Sequence, residues 1–268
     1  MSIAALLALL LVVAARAEAG DEPVRHLPTR PGVTEPVVLV RPVGTPAASV
    51  ILFTGGRGAL GLDRAPGRLG PRASNFLVRT RQLFADRGLL VAVVDVPSDR
   101  AGQALVGFRT TDEHAADVRA LIALLRAEAP APVWLVGTSM GSVSAANAAA
   151  RLTEAGPDGV VLTSSVMGRS PDMGESLQDV ALDRIRVPVL LVHHRDDGCQ
   201  WSRYADTSWA MRRLSAAPKR ELLSFSGGDT PQSRPCDPLA PHGYFGIETA
   251  VVDAIVAFIR ATPGVVKP

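Results

Sequence analysis

The chain has 268 residues, of which 47% are hydrophobic and 20% are charged, and its 28 basic and 26 acidic side chains give a net charge of +2. This composition excludes an intrinsically disordered chain, and the length suffices for one domain with a sizeable core. A net charge so near zero does not indicate a nucleic-acid partner.

The first residues have the features of an export signal. Residues 3–15 are uncharged and apolar, and Ala15, Ala17 and Ala19 fit the small-residue pattern of a cleavage site. The apolar stretch is shorter than the roughly 20 residues that a membrane span needs. We therefore predict a signal peptide over residues 1–19 and a periplasmic or secreted protein with no stable membrane insertion after its removal. An N-terminal extension, 20–35, would precede a domain of residues 36–268.

Apolar β-rich runs alternate with helix-competent segments along the rest of the chain. The runs that predict strands are 36–41, 48–54, 89–95, 133–137, 159–163, 189–193 and 220–225. The segments that predict helices are 75–87, 112–128, 140–153, 202–214 and 246–261. This alternation predicts an α/β fold with a mostly parallel sheet and helices on both faces. Right-handed crossovers would bring the carboxyl ends of the strands to one edge.

The predicted strand at 133–137 runs into a Gly-x-Ser-x-Gly motif, Gly137 to Gly141, and an Ala-rich helical segment follows. A strand-turn-helix elbow of this kind presents its serine to substrate, and the N–H of the next residue faces the oxygen of a bound acyl group. Ser139 is therefore the predicted nucleophile and Met140 a predicted oxyanion donor. The alternative is an ordinary turn whose serine caps the helix.

A serine hydroxyl attacks poorly without a base and an orienting acid. Downstream, the strand at 189–193 leads to Asp196 and Asp197, and His242 lies on a Gly-flanked loop before the last predicted helix. The order serine, acid, histidine is the one found in proteins built around this elbow. His114, in contrast, lies in the first turn of a helix that Thr110 would cap, so we expect it to be structural or solvent-facing.

With these motifs the chain resembles the α/β-hydrolase superfamily from about residue 36 to 262. Members often carry His-Gly, two variable residues and Asp before the acid loop; this likeness favours Asp197 as the acid, with Asp196 as the alternative. The resemblance implies an α/β-hydrolase fold. Residues 164–184, where many relatives elaborate a lid, leave room for little or no lid domain.

The resemblance also implies a second oxyanion donor in the loop after the strand at 48–54. Gly56 is preferred there, and Gly55 and Arg57 are alternatives. The loop departs from the common form, since Thr54 stands where many relatives have histidine. A basic segment follows, in which four arginines outnumber one acid, and it would attract an anionic substrate if it rimmed the site rather than forming a solvated loop. Its arginines are Arg57, Arg64, Arg68 and Arg72.

The chain has 2 cysteines, Cys199 and Cys236, which flank the acid loop and the histidine loop. These loops must meet if Asp197 is to orient His242, so we predict a disulfide, which suits an oxidising compartment. No Cys/His grouping has the spacing of metal ligands, and we expect no metal and no cofactor.

Together these features predict an exported serine hydrolase that cleaves a small-molecule carboxylic ester or amide through an acyl-enzyme. A carboxylesterase-like activity is preferred over a peptidase or amidase, because nothing in the sequence identifies a peptide pocket. The alternative from another class is a non-catalytic binding protein with the hydrolase fold. The identity of the substrate and the oligomeric state do not follow from the sequence.

Overall fold

A computed structural model describes residues 23–62, 71–169 and 174–262. The predicted signal peptide lies outside these ranges, as do Arg64 and Arg68 of the basic segment. Export and the clustering of these arginines therefore stay predictions.

The described structure is built on an 8-stranded sheet with the order β1-β2-β4-β3-β5-β6-β7-β8. The strands are β1 (Val24–Arg30), β2 (Val33–Val40), β3 (Ala48–Phe53), β4 (Leu89–Val94), β5 (Val133–Thr138), β6 (Gly159–Thr163), β7 (Val189–His194) and β8 (Arg220–Phe225). Each pair of neighbours in the part of the sheet with the order β4-β3-β5-β6-β7-β8 is parallel, whereas β2 pairs antiparallel with both β1 and β4. The predicted mostly parallel sheet is confirmed.

Helices cover both faces of the sheet. They are α1 (Phe76–Arg79), α2 (Arg81–Asp86), α3 (Asp112–Glu128), α4 (Gly141–Arg151), α5 (Thr207–Arg213) and α6 (Glu248–Ala261). In β5, Leu135 belongs to the apolar cluster under α3, α4 and α5, while Trp134 belongs to the cluster under α1, α2 and α6. Burial on both faces explains why the central strands are continuous apolar runs. Within the described ranges, no helix has the length and apolar character of a membrane span.

β1 lies in the segment predicted as an N-terminal extension. It pairs with β2 at one edge of the sheet, and its residues are half-buried or exposed. Because an edge strand buries little surface, its mixed sequence lacks the hydrophobic pattern by which strands are recognised. β2 also begins at Val33, so the sheet includes residues before position 36.

The start of α3 differs from its prediction in one detail. The N-cap is Thr111, whose hydroxyl accepts the N–H of His114 at 3.2 Å. Thr110 instead donates its hydroxyl to Glu175 at 3.1 Å. The hydroxyl of Thr110 is thus bonded to Glu175 and does not cap the helix.

Candidate active site

Ser139 lies in the turn between β5 and α4. Its φ is +53°, in the left-handed region that residues with a side chain rarely adopt. Small neighbours make the turn possible: a Cβ on Gly137 would overlap the carbonyl of Gly141, and a Cβ on Gly141 would overlap that of Phe53. The N–H of Ser139 donates to the carbonyl of Thr163 at 2.9 Å, which ties the turn to the end of β6. The motif thus forms a strained strand-turn-helix elbow.

Asp197 and His242 meet although they are far apart in the sequence. His242 Nδ1 lies 2.9 Å from Asp197 Oδ2, and both residues are buried. The other carboxylate oxygen, Oδ1, accepts the N–H of Cys199 at 2.9 Å. The side chain of Asp196, in contrast, is 70% exposed and lies 3.9 Å from His194. Of the two predicted acids, the structure brings Asp197 to His242.

The carboxyl group of Asp197 is held ionised. Burial acts to raise its pKa, but the hydrogen bonds from His242, Ser202 and Cys199 together bring the pKa below the ordinary value. A carboxylate at Oδ2 accepts the Nδ1–H of His242, and in the neutral ring this tautomer has Nε2 as the unprotonated nitrogen. Nε2 is buried and has no hydrogen-bond partner among the described residues, so the Ser139 hydroxyl is not bonded to it in this structure.

A cavity of about 300 Å³ has both Ser139 and His242 in its wall. The rest of the wall comes from three stretches: the loop after β3, the start of α1 and the segment before His242. The lining residues are Thr54, Gly55, Gly56, Arg57, Leu60, Ser74, Asn75, Phe76, Thr138, Ser139, Cys236, Asp237, Pro238, His242 and Gly243. The predicted donor Gly56 and both of its alternatives thus line the same cavity as the predicted nucleophile and base.

The loop after β3 packs directly against Ser139, the predicted nucleophile. A Cβ on Gly55 would lie 2.9 Å from the Cβ of Ser139, so this position has no room for a side chain. The N–H of Gly58 donates to the carbonyl of Gly55 at 3.3 Å and closes a tight turn. Met140, the other predicted donor, follows Ser139 at the N-cap of α4 and is buried. Met140 is therefore next to Ser139 along the chain, and Gly55, one of the alternatives to Gly56, is next to it in space.

Two further side chains beside the site carry no sequence motif. The hydroxyl of Ser202 donates to Asp197 Oδ2 at 2.7 Å and lies 3.0 Å from His242 Nδ1. Arg109 is 1% exposed and donates to two carbonyls of the loop after β3, those of Thr54 and Gly56. No pattern in the sequence could have identified either residue, because both are defined by contacts that are distant along the chain.

The predicted disulfide between Cys199 and Cys236 is present, with a Cα–Cα distance of 4.5 Å. Cys199 belongs to the acid loop, where its N–H binds Asp197, and Cys236 lies in the segment that lines the cavity before His242. The disulfide therefore links the acid loop covalently to the segment that precedes His242.

The sequence matches no family model and no curated protein. Solved structures do match it over nearly their full length. An esterase from Pyrococcus furiosus has a TM-score of 0.64 and 14% identity, over 92% of this chain and 93% of the esterase. A dienelactone hydrolase from Anabaena variabilis has a TM-score of 0.62 and 17% identity, over 91% of this chain and 99% of the hydrolase. Est1E from Butyrivibrio proteoclasticus, with ferulic acid bound, has a TM-score of 0.61 and 12% identity, over 89% of this chain and 98% of Est1E.

The chain has the α/β-hydrolase fold. Between β6 and β7, where this fold can carry a lid, the described residues form only two short 3-10 turns, Leu177–Asp179 and Leu182–Arg184. The cavity over Ser139 is therefore not covered by a helical lid from the described part of this segment. Arg57, from the predicted basic segment, is exposed at the cavity wall.

The other two histidines near the acid loop have structural partners in this α/β-hydrolase fold. Nε2 of His193 lies 2.7 Å from the carbonyl of Ser202 and 3.5 Å from Asp197 Oδ2, and burial lowers the pKa of His193. Nε2 of His194 lies 2.9 Å from the carbonyl of Gly227. In the part of the chain that the structure describes, no group of three or more His, Cys, Asp or Glu side chains is arranged to hold a metal ion.

Proposed function

We propose that the protein is a serine hydrolase that cleaves a carboxylic ester through an acyl-enzyme. One observation carries the proposal: a serine in a strained elbow and a histidine bonded to a buried carboxylate line the same cavity. The similarity of the fold to an esterase and to a dienelactone hydrolase supports it.

In the proposed reaction, Oγ of Ser139 attacks the ester carbonyl while Nε2 of His242 takes the hydroxyl proton. The N–H groups of Gly56 and Met140 bind the oxyanion that forms. His242 then gives the proton to the leaving alkoxide, and a water molecule activated by the same ring hydrolyses the acyl-enzyme. Asp197 orients the ring and stabilises the imidazolium. The Ser139 hydroxyl must come within hydrogen-bonding distance of Nε2 in the reactive complex, a contact that free enzymes often lack.

The cavity favours a small substrate. Its volume of about 300 Å³ is at the lower end of the range of roughly 300–1,000 Å³ for small-molecule sites. We therefore propose esters with short acyl groups in preference to long-chain lipids. The disulfide supports a periplasmic or secreted location, because such bonds persist in oxidising compartments.

The test is labelling with a fluorophosphonate probe, followed by mass spectrometry of the labelled peptide. We expect labelling at Ser139 that is lost in Ser139→Ala and His242→Ala, and hydrolysis of p-nitrophenyl acetate that falls by roughly four to six orders of magnitude in these variants. Ser165→Ala is the control, since it removes another buried serine hydroxyl. A folded protein that the probe does not label would contradict the proposal and favour a binding protein with this fold, whereas labelling without ester hydrolysis would favour an amidase or peptidase.

A further inference from the structure

A buried cation, Arg109, lies beneath the loop after β3. Its Nη2 donates to the carbonyls of Thr54 at 3.3 Å and Gly56 at 3.1 Å, and its Nη1 donates to the hydroxyl of Ser144 at 2.7 Å. Ser144 belongs to α4, the helix that follows Ser139. The guanidinium therefore connects the loop that holds the proposed oxyanion donor to the helix that follows the proposed nucleophile.

We propose that Arg109 is a positioning residue that fixes this loop, residues 54–58, in the conformation in which its N–H groups serve the cavity. The catalytic consequence rests on the proposed function, whereas the hold on the loop does not. Gly55, Gly56 and Arg57 line the cavity and Arg109 does not, so the guanidinium contacts the loop without lining the substrate site.

The peptide geometry explains how the contacts act. In a trans peptide the carbonyl and the following N–H point in opposite directions. Arg109 binds the carbonyls of Thr54 and Gly56, and the carbonyl of Gly55 between them accepts the N–H of Gly58. Three consecutive peptide planes are thereby fixed, including the one that carries the Gly56 N–H. Their carbonyl oxygens, which would repel an oxyanion, are occupied by donors.

The loop sequence is adapted to this contact. A Cβ on Gly58 would lie 2.8 Å from Nη2 of Arg109, so the guanidinium could not approach the loop past a side chain there. The φ of Gly58 is +84°, a second reason for glycine at this position.

A buried acidic residue, Glu175, lies in the same region as Arg109. Glu175, which is 3% exposed, accepts the backbone N–H of Arg109 at 3.2 Å and the hydroxyl of Thr110 at 3.1 Å. Burial lowers the pKa of Arg109 to about 10, while the charge of Glu175 opposes this effect. Arg109 is therefore a cation at neutral pH. A lysine would keep the charge but could not bind three acceptors with a planar fork of donors.

Arg109→Lys and Arg109→Met test the proposal in the full chain. The first measurement is the exchange rate of the Gly58 amide, followed by NMR, because this N–H closes the loop. We expect at least tenfold faster exchange in both variants. Ser144→Ala removes the hydroxyl that accepts Nη1 of Arg109 and leaves the arginine in place. We expect a smaller increase in the exchange rate of the Gly58 amide in this variant. It provides the test if the Arg109 variants do not fold. The control is Arg126→Met, since Arg126 also donates to a backbone carbonyl, that of Gly156 at 2.9 Å, but is not at the cavity.

The second measurement is the hydrolysis of p-nitrophenyl acetate. We expect kcat to fall by about 10- to 100-fold with little change in KM, because a misplaced oxyanion donor affects the transition state more than the bound ester. Unchanged Gly58 exchange in folded Arg109 variants would overturn the proposal, as would wild-type kcat with faster exchange. If the wild-type protein neither hydrolyses the ester nor reacts with the probe, the proposed function fails, and the exchange rates alone decide whether Arg109 holds the loop.

Discussion

The Oγ of Ser202 lies 3.0 Å from Nδ1 of His242 while its hydroxyl proton is donated to Asp197 Oδ2 at 2.7 Å. A hydroxyl has one proton, so the lone pairs of Ser202 face the imidazole. Nδ1 must then carry the ring hydrogen, since otherwise it would face two acceptors. Ser202 thus works with Asp197 to fix the tautomer that leaves Nε2 free to accept a proton.

Replacing Ser202 should therefore slow the activation of Ser139. Ser202→Ala removes a hydrogen bond to a carboxylate, worth about 1.5–3 kcal/mol. If this energy is fully expressed in the reaction, the rate of fluorophosphonate labelling falls roughly 10- to 100-fold. Ser49→Ala is the control, because the Ser49 hydroxyl is also buried but has no hydrogen-bond partner among the described residues. Equal labelling rates in Ser202→Ala and the wild type would show that Asp197 alone fixes the ring.

The disulfide should contribute strongly to stability. Cys199 and Cys236 are separated by 37 positions, and closing a loop of that length stabilises a fold by about 4 kcal/mol in the chain-entropy model. We expect the double variant Cys199→Ala, Cys236→Ala to lose an amount of this order in urea unfolding. Reductant should bring the wild type close to the variant and should not change the variant. A wild type that unfolds at the same urea concentration with and without reductant would refute this prediction.

Gly55→Ala should reduce activity more than stability. The new methyl group would lie 2.9 Å from the Cβ of Ser139 and 3.2 Å from the carbonyl of Thr138, so either the loop or Ser139 must move. Overpacking of this kind costs about 1–3 kcal/mol, and we expect labelling of Ser139 to slow by roughly 10-fold or more. Gly168→Ala is the matched control, since its Cβ would have no neighbour closer than 3.7 Å. The prediction is wrong if the two variants are labelled equally fast.

The sequence was sufficient to predict those elements whose local structure requires a particular residue pattern. β5 and its neighbours are buried on both faces, which requires the apolar runs that predicted them. The elbow at Ser139 requires glycine at positions 137 and 141 for steric reasons, and these leave a readable motif. The edge strand β1 has no such requirement, and its half-exposed residues do not distinguish it from a loop.

The contacts of Arg109 and Ser202 do not follow from any local residue pattern. Arg109 reaches Gly56 across 53 positions and Ser202 reaches His242 across 40. A buried arginine and an exposed one are identical in the sequence, and only the path of the chain brings the first beneath the loop. Side chains that support a site from behind are therefore found from the structure, whereas the residues proposed to react are found from their motifs.

His114 should make the protein sensitive to acid. Its ring packs against Phe53 and Phe108, and neither ring nitrogen has a hydrogen-bond partner among the described residues. Burial, assisted by the charges of Arg109 and Arg30, lowers its pKa from 6.5 to about 3. At a pH between these two pKa values, His114 binds a proton in the unfolded chain but not in the folded protein. The free energy of unfolding therefore falls as the pH falls from 6.5 towards 3. His114→Leu removes this loss. At pH 8 we expect the two proteins to differ little, and at pH 4.5 the variant should be more stable by roughly 2–3 kcal/mol in urea unfolding. A difference between the two proteins that is the same at both pH values would contradict a neutral, buried His114.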